Sequence, residues 1–268
     1  MWKKYCVLIG ILTMTSCEEV VELDLQKSEP RLVIEASLLW DINQKENKQI
    51  IKLTTTAPFY AEGVSPALGA AVSVIDPNGI EYVFDETEIG IFTYDEIPAV
   101  LEGEYELKVY YQEEYYTASA ELIPVPRIQY VEQEQNTGLS GEETQFKVYY
   151  RDPDGVDNFY LFRYFGSDLS LQIYDDEFTD GNLTFAFFSS EETDPGERVA
   201  FEIQGISEKF YNYLYILRSQ TGGSNAGPFQ TPPTVVRGNI LNMTNPEHFP
   251  LGFFRLSAKE LYPVIVEE

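Results

Sequence analysis

The chain has 268 residues, 44 acidic against 18 basic side chains, and a formal net charge of −26 at pH 7. A field of that sign repels nucleic acid and anionic membrane and keeps the chain soluble, which excludes nucleic-acid binding. Nineteen tyrosines and 17 phenylalanines supply aromatic surface for a sizeable core, and the length is that of about two domains.

Lys3 and Lys4 precede an apolar run, Tyr5 to Met14, that ends in Thr15-Ser16-Cys17. The run is too short to span a bilayer, and small residues followed by cysteine are what a lipoprotein signal peptidase accepts. Residues 1–16 therefore read as a lipoprotein signal peptide and Cys17 as the lipidated first residue of the mature chain. The competing readings are an ordinary secretory signal with an incidental cysteine, or an uncleaved anchor. Cleavage removes Lys3 and Lys4 and no acid, which takes the charge to about −28. Cys6 leaves with the leader and Cys17 carries lipid, so no disulfide forms and no thiol enzyme is expected.

Residues 17–30 are acidic, without a clear turn or cap, and read as a tether; its thirteen residues after Cys17 reach ~40 Å at most. Val20 to Leu25 alternates well enough to be an edge strand instead. From Arg31 short β-branched runs follow: Leu32–Ala36, Ile50–Thr55 and Ala71–Ile75. Asp76-Pro77-Asn78-Gly79 is a turn, since proline presets φ and Gly79 supplies a positive one, and it folds the chain back into Ile80–Phe84. Tyr105–Tyr111 and Tyr115–Ala120 form a further pair. Some seven strands over residues 31–123 predict an immunoglobulin-like β-sandwich that closes as an independent unit. Ile123-Pro124-Val125-Pro126 reads as a stiff linker, or else as a kinked edge strand within one domain.

Residues 124–268 read as a second β-rich domain carrying one short helix, so the whole is all-β. Gln145–Tyr150 and Asn158–Phe165 flank Asp152-Pro153-Asp154-Gly155 and predict a second hairpin with the turn chemistry of the first. Leu183–Phe188 and Val199–Ile203 are further strands. Ser207 is placed to cap a helix from Glu208 to Gln220, with Phe210, Tyr213, Leu214 and Leu217 on one face and Gly222-Gly223 as its stop. The remainder is loop-rich and ends in strand-like Phe253–Ser257.

Asp152, Asp154 and Asp157, with Asn158, crowd one loop, and hard oxygen ligands at that spacing are a calcium candidate. The loop lacks the later bidentate glutamate of a full calcium loop, and the hairpin alone explains Asp-Pro-Asp-Gly, so the turn is the preferred reading. Asp175-Asp176-Glu177 with Asp180-Gly181-Asn182 has the same ambiguity. Ser224 after Gly222-Gly223 resembles a nucleophile elbow but follows a helix, and His248, the only histidine, lies among prolines; neither reads as catalytic. Zinc ligands and phosphate loops are lacking, and 44 acids make chance carboxylate pairs inevitable. No enzyme activity and no cofactor are expected. Tyr110-Tyr111, Tyr115-Tyr116, Tyr149-Tyr150, and Tyr211, Tyr213 and Tyr215 can present rings to sugars or a partner, yet one of each strand pair faces the core.

The run Cys17-Glu18-Glu19-Val20-Val21-Glu22-Leu23-Asp24-Leu25, then Glu29-Pro30-Arg31-Leu32-Val33-Ile34-Glu35, Thr55-Thr56-Ala57-Pro58, Asp152-Pro153-Asp154-Gly155-Val156 and the Tyr-rich helix resemble an uncharacterised DUF family of Bacteroidota outer-membrane lipoproteins. The resemblance implies an exported, lipid-anchored protein at the cell surface, often encoded beside a TonB-dependent receptor, and brings no catalytic residues. The expected function is accessory or binding partner of such a transporter in nutrient capture or surface assembly. The alternative is a stand-alone carbohydrate-binding or adhesive surface module.

Overall fold

The computed structural model describes residues 29–58, 63–137, 141, 143–166, 169–221 and 234–267. The leader, Cys17, most of the tether and the Gly222–Ala226 stretch lie outside them. The first sandwich is built from β1 (Leu32–Asp41), β2 (Gln49–Thr55), β3 (Ser65–Pro66), β4 (Ala71–Ile75), β5 (Glu81–Val83), β6 (Asp85–Glu88), β7 (Ile91–Tyr94), β8 (Glu104–Tyr111) and β9 (Glu114–Ile123). The second comprises β10 (Ile128–Thr137), β11 (Glu143–Arg151), β12 (Phe159–Phe165), β13 (Leu169–Asp175), β14 (Leu183–Ser190) and β15 (Arg198–Ile206), followed by α1 (Glu208–Thr221), β16 (Leu241–Asn242) and β17 (Leu251–Ile265).

Alternation sets the first core: Ile34, Ala36 and Leu38 of β1 and Ile51 and Leu53 of β2 point inward from one sheet, Val72, Val74, Leu107 and Val109 from the other. One corner is sealed by polar handles on aromatic rings. Tyr105 Oη donates to Pro98 O (2.6 Å) and accepts from Val100 N (2.9 Å), while Trp40 Nε1 donates to Ile97 O (2.8 Å). A tyrosine near a strand start bonded back to the preceding backbone, beside a buried tryptophan, is an immunoglobulin-type arrangement. The Asp76 turn is a true hairpin: Gly79 has φ +81°, and Asp76 Oδ1 accepts from Asn78 N and Ile80 N.

The second sandwich packs a three-stranded sheet, β10-β11-β14, against β13-β12-β15-β17. Phe146, Tyr150, Tyr160, Phe162, Tyr164, Phe188 and Phe201 fill it, most neighbouring rings lying 5.0–6.0 Å apart. Among the described residues the chain is thus all-β, an immunoglobulin-like sandwich followed by a β-rich unit with one helix. Ser207 Oγ accepts from Phe210 N (3.3 Å) at the start of α1, and Phe210, Tyr213 and Leu214 pack with Leu161, Ile206 and Phe253.

Three expectations change. The loop 152–158 does not close a hairpin, because β11 pairs with β10 and β14 in one sheet while β12 pairs with β13 and β15 in the other. It is an arch that carries the chain across the core. Gly155 has the positive φ (+80°) its sequence called for, but what turns the chain inward is long-range: Asp152 N donates to Asn182 O, and Asp152 accepts from the Tyr160 hydroxyl.

Second, the expected units 31–123 and 124–268 are not separate pieces of chain. Residues 124–127 do cross from one sandwich to the other without regular structure. The C-terminal strand then returns: β17 lies between β1, parallel from Val33↔Leu251 to Asp41↔Lys259, and β9, parallel at Leu256↔Leu122 and Ser257↔Ile123. Ile240, Phe254 and Leu256 complete the first core, while the end of β17 pairs with β15 in the second sandwich. Gly252 has φ +94°, and a Cβ there would sit 2.1 Å from Ile34 O, so this close approach of β17 to β1 requires glycine.

Third, β17 runs 15 residues where only Phe253–Ser257 was expected, and β10 and β13 were not anticipated. Phe253 to Ala258 are all buried, which erases the two-residue period. β10 is rich in Glu and Gln because it is a solvated edge.

Candidate functional site

Two acidic loops flagged separately in the sequence are brought together. Carboxylate oxygens of Asp152, Asp176 and Asp180 all lie within 4.8 Å of one another, whereas Asp154 and Asp157 are exposed and outside that trio. The calcium candidate Asp152, Asp154, Asp157 is thereby corrected: only Asp152 turns inward at the end of β11, and its neighbours come from a loop more than 20 residues away. Each carboxylate of the trio already accepts backbone protons. Asp152 takes Gly181 N (3.1 Å) and the Tyr160 hydroxyl (2.5 Å), Asp176 takes Asn158 N (2.8 Å), and Asp180 takes Gly155 N (2.8 Å). Through these bonds the trio clasps the two loops together, and a calcium ion there would need further carbonyl or water oxygens to reach the six to eight it takes.

That geometry sets two expectations. Asp154→Asn should change stability by no more than ~0.5 kcal/mol and Gly155→Val should cost ~1 kcal/mol or more, the latter from positive φ alone because open space surrounds the Cβ position. The melting temperature should not respond to EGTA; a drop reversed by calcium and absent in Asp176→Asn would make the clasp a metal site.

The aspartates of the two Asp-Pro-x-Gly loops titrate in opposite directions. Burial, reinforced by the Asp176 and Asp180 charges, raises Asp152 above its ordinary 3.8 despite its hydrogen bonds. Burial also pushes Asp76 up, but bonds from Ile80 N, Asn78 and Tyr82 outweigh it and leave its pKa lowered. A lowered carboxylate stabilises above its unfolded pKa and loses that as pH falls; a raised one destabilises once pH rises through its folded value. Between about pH 3 and pH 7, Asp76→Asn should therefore lose Tm relative to the parent as pH rises, while Asp152→Asn gains relative to the parent.

The outer face of the three-stranded sheet has a regular layout fixed by register. Tyr130 pairs with Tyr149 and Tyr149 with Phe185; one step along, Glu132 pairs with Lys147 and Lys147 with Phe187; one step further, Glu134 pairs with Gln145 and Gln145 with Ser189. Tyr130 and Tyr149 rings stack at 4.5 Å, and Phe185 stands 5.3 Å from Tyr149. Tyr149 Oη donates to Glu132 (2.8 Å), and Lys147 Nζ lies 5.6 Å from the Phe185 ring centre. Past Glu132 and Lys147, a groove of about 380 Å³ runs along the β10 edge; Glu132, Glu134, Gln145 and Lys147 of the ring-bearing face line it with Val131, Gln133 and Glu267, and none of the three rings does. The tyrosine pairs split as alternation demands: Tyr111, Tyr116 and Tyr150 are buried, while Tyr110 is 51 % exposed and Tyr115 and Tyr149 are partly so.

An ion network at the junction of the sandwiches was not legible in the sequence. Glu202 is buried, bonded to Lys259 Nζ (2.7 Å), Arg163 (3.5 Å) and Gln204 (2.5 Å). Gln204 accepts from Arg255, whose guanidinium also donates to Ser37 and Ser257 and lies 4.6 Å from the Phe210 ring centre. Desolvation lowers the Arg255 pKa to about 10, against the favourable Glu202 charge. The available signal was a charge inside an apolar run, Val199-Ala200-Phe201-Glu202-Ile203 and Phe253-Phe254-Arg255-Leu256.

His248 sits between Glu114 (3.4 Å) and Glu29 (3.5 Å), with Asn242 bonded to Glu114 and to His248 O. Ser224 and Cys17 lie outside the described residues. Among those described, the arrangement offers clasps, an ion network and a ring-bearing face on an all-β body.

The chain belongs to the family described as Domain of unknown function (DUF4249), which it matches over residues 18–261. No curated protein matches it. Among solved structures it is similar to a two fibronectin type-III domain segment of chicken tenascin (10 % identity, TM-score 0.21, covering 66 % of this chain and 90 % of that one) and to bovine butyrophilin (14 %, 0.22, 66 % and 92 %). It is also similar to the chicken interferon gamma receptor alpha chain (12 %, 0.20, 66 % and 88 %). At TM-scores this low none of these likenesses bears on function, and the fold rests on the strand pairing itself.

Proposed function

We propose that this protein is a non-enzymatic lipoprotein of the outer membrane, facing the cell surface, that serves a TonB-dependent transporter as accessory or binding partner in nutrient capture or surface assembly. The observation that carries the reading is the leader, with Lys3 and Lys4, a short apolar run and Thr15-Ser16-Cys17. Its fit with the rest is good. The family match starts at residue 18, directly after Cys17, and among the described residues no helix is long and apolar enough to cross a membrane. A lipid anchor then supplies the attachment, and the mature charge of about −28 holds the body off anionic headgroups.

Cys17→Ser is expected to release the protein in soluble form and to abolish incorporation of labelled fatty acid. A serine variant that still partitions with outer membranes, together with an unlabelled parent, defeats the anchoring argument. Mild detergent extraction of the native protein should co-purify a large β-barrel protein; extraction of the chain alone favours the stand-alone surface module.

A further inference from the structure

The face of β10, β11 and β14 combines two kinds of chemistry within a few ångströms. A row of rings crosses all three strands at Tyr130, Tyr149 and Phe185, and the next positions along β10 and β11 carry Glu132 with Lys147 and Glu134 with Gln145. Two residues along a strand span about 7 Å, so donors and acceptors stand beside the rings rather than at a distant rim. We propose that this face binds a neutral glycan, with sugar ring faces against the Tyr130, Tyr149 and Phe185 row and hydroxyls bonded in the adjoining groove.

The alternatives fit less well. The cores of protein interfaces are depleted of charge, yet here Glu132, Lys147 and Glu134 lie next to the rings. An anionic ligand meets a chain of −26 and a groove edged by Glu132, Glu134 and Glu267. At about 380 Å³ the groove lies within the ~300–1,000 Å³ usual for small-ligand sites. A polyol needs donors and acceptors together, which Lys147 and Gln145 supply opposite the two glutamates. Tyrosine and phenylalanine rings offer that contact at little conformational cost, having two rotatable side-chain bonds each. The assignment deepens the nutrient-capture reading by naming its ligand class, and its test uses soluble protein so that it fails or succeeds apart from anchoring and transporter.

The full chain carrying Cys17→Ser is applied to an array of neutral and uronic-acid glycans, with affinities then measured by titration of the captured sugars. Capture of neutral glycans is expected, with Tyr149→Ala and Phe185→Ala each weakening it at least about tenfold. Tyr110→Ala, on the other sandwich, should leave it unchanged. Tyr130→Ala on the edge strand repeats the test should Phe185→Ala fold poorly. Capture of no neutral glycan, capture of uronic-acid glycans only, or capture indifferent to the ring variants each overturns the proposal.

Discussion

Residues 31–123 expressed by themselves are expected to stay unfolded, giving narrow amide-proton dispersion and no cooperative melt. Reading the sequence locally leads to the opposite result, since strands and turns close before Pro124. The structure removes that expectation because β17 is the strand between β1 and β9: nine residue pairs with β1 and two with β9 are lost in the fragment. Phe254 and Leu256, both almost wholly buried, and Ile240 leave the core with it. Burial of one such side chain is worth ~1.5–3 kcal/mol, and three of them with an interior strand exceed the margin of a small domain. Fusing residues 236–258 behind Ile123 through a flexible linker should restore dispersion. A well-dispersed spectrum from 31–123 without that segment would falsify this account of the fold.

Glu202→Ala is expected to cost about 3 kcal/mol or more. The carboxylate is 2 % exposed and serves Lys259, Arg163 and Gln204, and through Gln204 it orders the buried Arg255. Taking the anion away leaves cations in an enclosed place with no counter-charge, the costly way to break a buried pair. Lys259 and Arg163 are partly exposed and can turn toward water, which keeps the loss near the lower end of the usual range. Glu202→Gln, which keeps hydrogen bonding, should lose less. Urea denaturation of both variants measures this, and an alanine variant within ~0.5 kcal/mol of the parent would show the network to be incidental.

These two results depend on different ranges of interaction, and so does what could be read beforehand. Ala71–Ile75 and Tyr105–Tyr111 alternate because one face is buried and the other wet, so their strands and the splitting of tyrosine pairs follow from the chain itself. The Ser207 cap and the positive φ of Gly79 and Gly155 are likewise decided by atoms a few bonds away. The helix at 208–221 was legible for the same reason, with an acid at its first turn and Arg218 in its last.

Only the tertiary structure decided where those elements go. Asp76-Pro77-Asn78-Gly79 and Asp152-Pro153-Asp154-Gly155 share local chemistry, yet the first closes a hairpin and the second bridges two sheets. Asp76 spends its carboxylate on its own loop, at Asn78 and Ile80, while Asp152 spends its on Tyr160 and on Gly181, 29 residues away. β17 was half hidden for the related reason that a strand buried on both faces has no two-residue period to display. The ring row on β10, β11 and β14 depends on register among three strands that lie up to 55 residues apart in sequence, Tyr130 to Phe185. Side-chain alternation and backbone preference act over a few residues and are written in the chain. Strand partners, and the sites that form across them, are chosen by which apolar faces can be buried together, a property of the whole core.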